Sequence, residues 1–454
     1  MRRFFAQASV LAFVLALVGC SADPSTFAPS THQNGPSISH VQGSSPIRHV
    51  VIIVQENRTF DNLFNGFPGA DTVSTGKNSS GKTVVLAEVP MASRYDLGHK
   101  HRSWVEDYHR GAMDGFNTEP VKCYGKRSGC PPPGSAAYAF VARADITPYW
   151  QMAQSYTLAD ELFETSEGPS FPAHQYLISG TSTIANGSPY RASENADDED
   201  DIGHQGGCDS LASSSVETID AQGAEGNPVF PCFERISIMD LLNEHDVSWR
   251  YYEPFGGAGE WHAVDAIKQI RDGPSYANVV WPSTRIFNDV RNGRLASVAY
   301  VIPTAKESDH PGRTDGTGPS WVASVVNAIG ASKYWNSTAI VVLWDDWGGW
   351  YDHVPPQKYN SFELGFRVPM IVISPYAKTG YVSHTKYEFG SVLKFVEETF
   401  GLPSLDTTDT RANDLSDCFD YGRMPRTFAR IKARFSKQYF LRQAIDGESP
   451  DDDF

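Results

Sequence analysis

One stretch of the chain reads Trp344-Asp345-Asp346-Trp347-Gly348-Gly349-Trp350-Tyr351-Asp352-His353-Val354-Pro355-Pro356, directly after the apolar run Thr338 to Leu343. Three carboxylates and an imidazole at a strand exit suit hard-cation binding and proton transfer. A second apolar run, His49 to Val54, empties into Gln55-Glu56-Asn57-Arg58-Thr59-Phe60-Asp61. Carboxylate and amide oxygens from two adjacent strand ends would hold a divalent cation. Taken singly, Asn57 or Thr59 reads equally as the cap of a helix beginning near Phe60. A third stretch, Glu167-Gly168-Pro169-Ser170-Phe171-Pro172-Ala173-His174, places Ser170 between a Gly-Pro turn and a helix starting near Phe171. Its hydroxyl would sit at a helix N-terminus, where backbone N–H groups favour an anion; the bland reading is an N-cap serine. A cation that lowers its pKa would make that hydroxyl a nucleophile. Histidines complete the inventory: His99 and His101 in DLGHKHRSW, His310 in ESDHPG, and His353. Each could ligate a metal, donate to a phosphoryl oxygen or protonate a leaving group, and each alone reads as well as a structural histidine.

Such residues act together only if strand ends meet. Apolar runs recur at Leu295 to Ile302, Thr338 to Leu343 and Val368 to Ile373, each of strand length and without alternation, which marks strands covered on both faces. Helical patterns lie at Ile236 to His245, Trp321 to Ile329 and Tyr387 to Phe400. Strands alternating with helices predict an α/β fold with a mostly parallel sheet and helices on both sides, whose ligands gather at the carboxyl ends of the strands. Gly348-Gly349 would let the chain turn back after Asp345 and Asp346 without a side-chain clash. His353 would return toward the site, with Asp352 orienting it and the tryptophans walling a cleft. Residues from about 185 to 235 break the strand–helix rhythm and read as a surface insertion; its acidic run Glu194 to Asp201 reads as a solvated loop, since it lacks the spaced ligands of a calcium loop.

With 454 residues, 40% of them hydrophobic, the chain is globular and can bury one large core. Its 38 Lys and Arg against 54 Asp and Glu give a net charge of -16, which disfavours nucleic acid and gives no overall pull toward anionic lipid. Arg2 and Arg3 precede an apolar stretch from Phe4 to Val18, too short to span a bilayer and shaped like a signal peptide. It ends in Leu17-Val18-Gly19-Cys20, which resembles a bacterial lipobox, so residues 1–19 read as a cleaved lipoprotein signal, Cys20 as the lipidated residue and 20–45 as a tether rich in Ser, Pro and Thr. The rest reads as one domain over 46–432 with a tail over 433–454. Export to the cell envelope permits disulfides. The two close pairs, Cys123 with Cys130 and Cys208 with Cys232, are the natural ones, leaving Cys418 odd; a zinc cluster is the rival, but no CxxC spacing occurs.

These motifs together resemble a known family. VVIIVQENRTFDNLFNGFPGAD, DLGHKHRSWVEDYHRGAMDGF, GPSFPAHQYLISG, SDHPG, VVLWDDWGGWYDHVPP and RVPMIVISPYAKTGYVSH fall in order between about residues 48 and 401. In that order they are similar to the bacterial phosphoesterase family of phospholipase C and acid phosphatase, within the alkaline phosphatase superfamily. The resemblance implies a divalent metal, calcium or magnesium first, at Glu56, Asn57, Asp345 and Asp346, with Ser170 as ligand and nucleophile. It implies that His101, His310 and His353 surround a phosphate, with His99 the alternative to His101. The implied activity is hydrolysis of a phosphate ester or phospholipid. A non-catalytic surface lipoprotein of the same fold is the other reading. Two positions depart from the family pattern: Phe389 stands where a His is usual, and Asp346 where Glu is common.

Overall fold

The computed structural model of the protein describes residues 45–124, 130–132, 134–197 and 205–444. The expected signal peptide and Cys20 lie outside these residues, as do most of the tether and the end of the acidic run. Eight strands form the central sheet: β1 (His49–Gln55), β2 (Thr157–Ala159), β3 (Trp249–Tyr252), β4 (Val279–Val280), β5 (Val298–Val301), β6 (Thr338–Trp344), β7 (Met370–Ile373) and β8 (Tyr381–Ser383). Their order is β4-β3-β5-β1-β6-β7-β2-β8. β1 pairs in parallel with β5 on one side and β6 on the other, from His49 opposite Thr338 to Gln55 opposite Trp344. Only β7 runs against the rest. Every residue of β6 is buried, so both faces of the sheet are covered there, as its unbroken apolar run requires. Because β1 and β6 are in register and parallel, the residues that follow them, Glu56 and Asp345, emerge side by side; the Asp345 amide donates to the Gln55 carbonyl at 3.0 Å.

The principal helices are α1 (Phe60–Phe64), α2 (His101–Tyr108), α3 (Thr147–Ser155), α4 (Ser170–Ser179), α5 (Ile238–Glu244), α6 (Gly318–Gly330) and α7 (Phe389–Phe400). Local chemistry sets their ends. Ser237 and Asp240 make a reciprocal capping box at the start of α5, and Gly401 ends α7 in the left-handed conformation at φ +66°. Thr59, not Asn57, caps α1: its hydroxyl accepts the Asn62 N–H at 3.2 Å.

Between α4 and α5, Arg191–Asp197, Ser215–Ile219 and Glu225–Val229 form a separate three-stranded antiparallel sheet with Ser215–Ile219 in the middle. Ala192, Ala196 and Val216 of this sheet pack with Phe233 against Phe171 of α4. The insertion therefore sits on the helix that carries Ser170. Cys123 is bonded to Cys130 and Cys208 to Cys232, while Cys418 is an unbridged, buried thiol. Burial pushes the Cys418 thiol up to about 12, which keeps it protonated and unreactive. Phe440 is buried against Trp321 of α6, so the packed domain continues past residue 432.

Candidate active site

The cluster begins where β1 and β6 end. Asn57 follows Glu56 in the left-handed conformation, φ +56°, which turns its side chain back over the strand ends. Its backbone N–H donates to Asp345 Oδ1 at 3.1 Å, and its Nδ2 lies 3.0 Å from both oxygens of Asp346 and 3.4 Å from Ser170 Oγ. Ser170 opens α4 just after the N-cap Pro169, and its hydroxyl sits 3.0 Å from Asp346 Oδ2 and 3.2 Å from Glu56 Oε2. The structure thus brings together Glu56, Asn57, Ser170, Asp345 and Asp346, all completely buried. The two glycines after the acids work as their spacing suggests. A Cβ on Gly348 would stand 2.4 Å from the Asn57 carbonyl oxygen, and one on Gly349 would stand 2.5 Å from Leu97 Cβ.

Sequence reasoning missed two residues beside the cluster. His174 lies one turn after Ser170 on α4, and its Nε2 is 3.1 Å from Glu56 Oε1 and 3.6 Å from Asp345 Oδ2. The i, i+4 spacing of Ser170 and His174 puts both on one helix face and was the available signal. Glu164 was also missed; burial, then Asp346 and Asp345, hold its carboxyl well above the usual range.

The donor set fits a cation. Asp345 Oδ2 and Asn57 Oδ1 are buried with no hydrogen-bond partner among the described residues. A buried carboxylate oxygen left so costs several kcal/mol unless a positive charge or donor meets it. Glu56, His174 and Asp345 each offer a ligand atom, all within 4.8 Å of one another. Oxygen donors with one imidazole suit calcium, magnesium, manganese or zinc. Among the described residues, two further acid–histidine groups, Asp61–Asp352–His353 and Glu253–His262–Asp265, contain no serine hydroxyl. In the first, Arg367 Nε lies 2.8 Å from Asp352 Oδ1.

The histidines divide. His99 Nδ1 donates to the Leu97 carbonyl at 2.8 Å, leaving Nε2 as the accepting nitrogen, 3.1 Å from Asn57 Nδ2. His310 is buried with its ring 5.8 Å from that of His99, and its Nδ1 is fixed on the Pro311 carbonyl at 2.8 Å. Arg58 holds this loop from the β1 side, its Nε and one terminal nitrogen donating to the Asp309 carbonyl at 2.9 and 2.8 Å. The expectations for His101 and His353 need correction. His101, the first residue of α2, turns to Glu225 of the insertion and Glu167, because Lys100 intervenes and the chain passes from extended to helical there. His353 donates to Asp61 Oδ2 at 2.7 Å and faces Asp71 Oδ1 at 3.2 Å; among the described residues, none of its hydrogen-bond partners belongs to the Ser170 cluster. Asp352 binds Arg367 rather than orienting His353.

The His101 contact predicts a pH dependence of stability. Burial alone would lower its pKa, but hydrogen bonds to Glu167 and Glu225 outweigh that and push it up to about 9 from an ordinary 6.5. A raised folded pKa stabilises fully below 6.5 and loses that stabilisation as pH rises through 9. Urea unfolding should show the wild type more stable than His101→Gln by on the order of 1–3 kcal/mol at pH 6, with the gap closing by pH 10. A gap unchanged over that range would refute the pairing.

Asn195 of the insertion takes the Phe171 N–H of α4 on its Oδ1 at 2.7 Å. The insertion thus covers the helix end that carries Ser170. Non-hemolytic phospholipase C of Pseudomonas aeruginosa is 24% identical over 83% of this chain, which spans only 57% of that enzyme's length. Phospholipase C B of Mycobacterium tuberculosis is 24% identical over 86% of this chain and 82% of its own. Among solved structures, a phosphonate monoester hydrolase of Agrobacterium radiobacter overlaps 84% of this chain and 79% of its own, with a TM-score of 0.36 and 10% identity. The model of the phosphoesterase family matches residues 47–403, from the residues before β1 to those just past α7 and through every residue of the Ser170 cluster, and the chain belongs to that family.

Proposed function

We propose that the protein is a metal-dependent phosphoesterase that hydrolyses phosphate esters through a phosphoseryl intermediate on Ser170, of the phospholipase C or acid phosphatase type. The observation that carries this reading is the Ser170 hydroxyl, at the start of α4, within 3.2 Å of two buried carboxylates from the ends of β1 and β6. A bound divalent cation would lower the pKa of that hydroxyl and offset charge on the phosphoryl oxygens. Glu56, Asn57, Asp345, Asp346 and His174 would hold it. Asp346 and Glu56 orient the Ser170 hydroxyl. As the Ser170 hydroxyl gives up its proton to Asp346 or Glu56, its oxygen forms a bond to phosphorus and the bond from phosphorus to the ester oxygen breaks. The departing alcohol takes a proton from Nε2 of the His310 imidazolium, whose Nδ1–H is held by the Pro311 carbonyl. Water then attacks the same phosphorus and releases Ser170.

Relatives named phospholipase C favour a phospholipid substrate, and the lipobox-like Cys20 supports export with a lipid anchor. No helix among the described residues is long and apolar enough to cross a membrane. The test is p-nitrophenol release by the metal-loaded protein from p-nitrophenylphosphocholine and from p-nitrophenyl phosphate. Turnover of at least one, abolished by chelator, is expected; turnover of neither would overturn the reading.

A further inference from the structure

A groove with a volume of about 1180 Å³ lies away from the Ser170 cluster. Its floor is apolar, formed by Phe287, Val290, Phe428, Ile431 and Phe435, and its rim carries Arg291, Lys333, Arg430, Lys432 and Lys437. Among the described residues no Asp or Glu lines it, in a chain with 54 acids and 38 bases. None of the five cations is ion-paired with a carboxylate among the described residues; Lys437 instead lies 5.8 Å over the Phe287 ring and Lys333 5.2 Å over Tyr334. A bare cationic rim around an aromatic floor is complementary to a molecule that is anionic at one end and apolar at the other.

The groove has a defined place in the fold. Residues 290–293 lead into β5 and residues 331–333 into β6, so it lies toward the amino-terminal ends of the strands, whereas the catalytic cluster lies at their carboxyl ends. Seven residues of β6 separate the two edges by about 20 Å. The chain also enters β1 at this edge, where the Arg48 N–H donates to the Ser337 carbonyl at 2.8 Å and the His49 ring meets Tyr334 at 4.7 Å.

We propose that this groove docks the protein on anionic phospholipid, with phosphate groups at the five cations and acyl chain over the phenylalanines. The net charge of -16 does not oppose this, because salt screens charges beyond about 8 Å and only the local patch meets the lipid surface. Binding here is separate from hydrolysis at Ser170 and stands even if the catalytic reading fails. The two are distinguished by measuring them on different substrates.

The experiment is co-sedimentation of the mature chain with vesicles, carrying Cys20→Ser to remove any lipid anchor and Ser170→Ala to prevent turnover. Vesicles of phosphatidylglycerol and phosphatidylcholine are compared with phosphatidylcholine alone. Binding to the anionic vesicles should be at least about tenfold tighter and should weaken with salt. Arg430→Glu with Lys432→Glu, both exposed side chains, should weaken it about tenfold or more while leaving p-nitrophenyl ester hydrolysis unchanged in the chain that retains Ser170. Glycerol phosphate should not displace the protein. Equal binding to both vesicles, no binding, unaltered binding by the double variant, or complete displacement by glycerol phosphate or polyglutamate would overturn the proposal.

Discussion

Ser170→Ala should lower kcat/KM toward p-nitrophenyl esters by at least about 10⁴-fold, equivalent to about 5 kcal/mol of transition-state stabilisation, without unfolding the protein. The size follows from the position of the hydroxyl. Ser170 is the first residue of α4, after the N-cap Pro169, and its hydroxyl donates to Asp346 and Glu56 rather than serving the helix end, so its removal leaves α4 intact. Phe171 and Pro172 remain buried behind it, and the Phe171 N–H remains on Asn195. What is lost is the atom that bonds to phosphorus. Asp346 and Glu56 would then face a methyl group, and a water entering its place would be less fixed. A companion Ser170→Thr keeps a hydroxyl but adds a methyl to a completely buried position, so partial activity at best is expected. Circular dichroism and a thermal melt close to wild type should accompany both losses. Wild-type turnover by Ser170→Ala would remove Ser170 from the chemistry.

Removing divalent cation should reduce the rate by about 10³-fold, several kcal/mol, and adding it back should restore the rate. The physical reason is visible without reference to catalysis. Glu56, Asp345 and Asp346 are buried together, and Asp345 Oδ2 has no hydrogen-bond partner among the described residues. A cation that binds the folded chain and not the unfolded one raises its melting temperature by mass action. Chelated protein should therefore melt lower, and Asp345→Asn should melt higher than chelated wild type because one of three clustered buried carboxylates is gone. The same variant should lose the rise in melting temperature on adding calcium, magnesium, manganese or zinc. A melting temperature indifferent to chelator and to each of these ions would contradict a metal at this cluster.

Much of this site was legible because its residues punctuate patterned segments. Glu56 and Asp345 each follow an unbroken apolar run, and β1 and β6 pair in register, so residues that look alike in the sequence meet in space. Ser170 stood out after a Gly-Pro turn. His174 was just as readable from its i, i+4 spacing to Ser170 on α4, but its partner Glu56 lies 118 positions away in the chain. The choice between His99 and His101 was beyond local spacing. It depends on where β-like backbone gives way to α2 at Lys100, whose φ of -65° and ψ of 162° turn the two rings apart. His353 was misplaced for a longer-range reason. Its partner Asp61 lies 292 positions away in the chain, and Arg367 closes the same cluster on Asp352. Nothing local announces such pairing.

The same contrast runs through the fold. The runs at His49, Leu295, Thr338 and Val368 became strands because four to seven buried residues need both faces covered. β2, β3, β4 and β8 have two to four residues each, too short to show a period, and are strands only because the sheet supplies partners. The insertion gave no periodic signal, yet it folds as a sheet that buries Phe171.

The most direct test of the central claim is to quench the metal-loaded wild type in acid during turnover and weigh its peptides by mass spectrometry. The peptide containing Ser170 should carry one added phosphoryl group from a monoester, or one phosphocholine group from p-nitrophenylphosphocholine, and the same peptide from the Ser170→Ala chain should carry none. An unmodified Ser170 peptide in enzyme shown to be turning over, or the added group on any other residue, would contradict it.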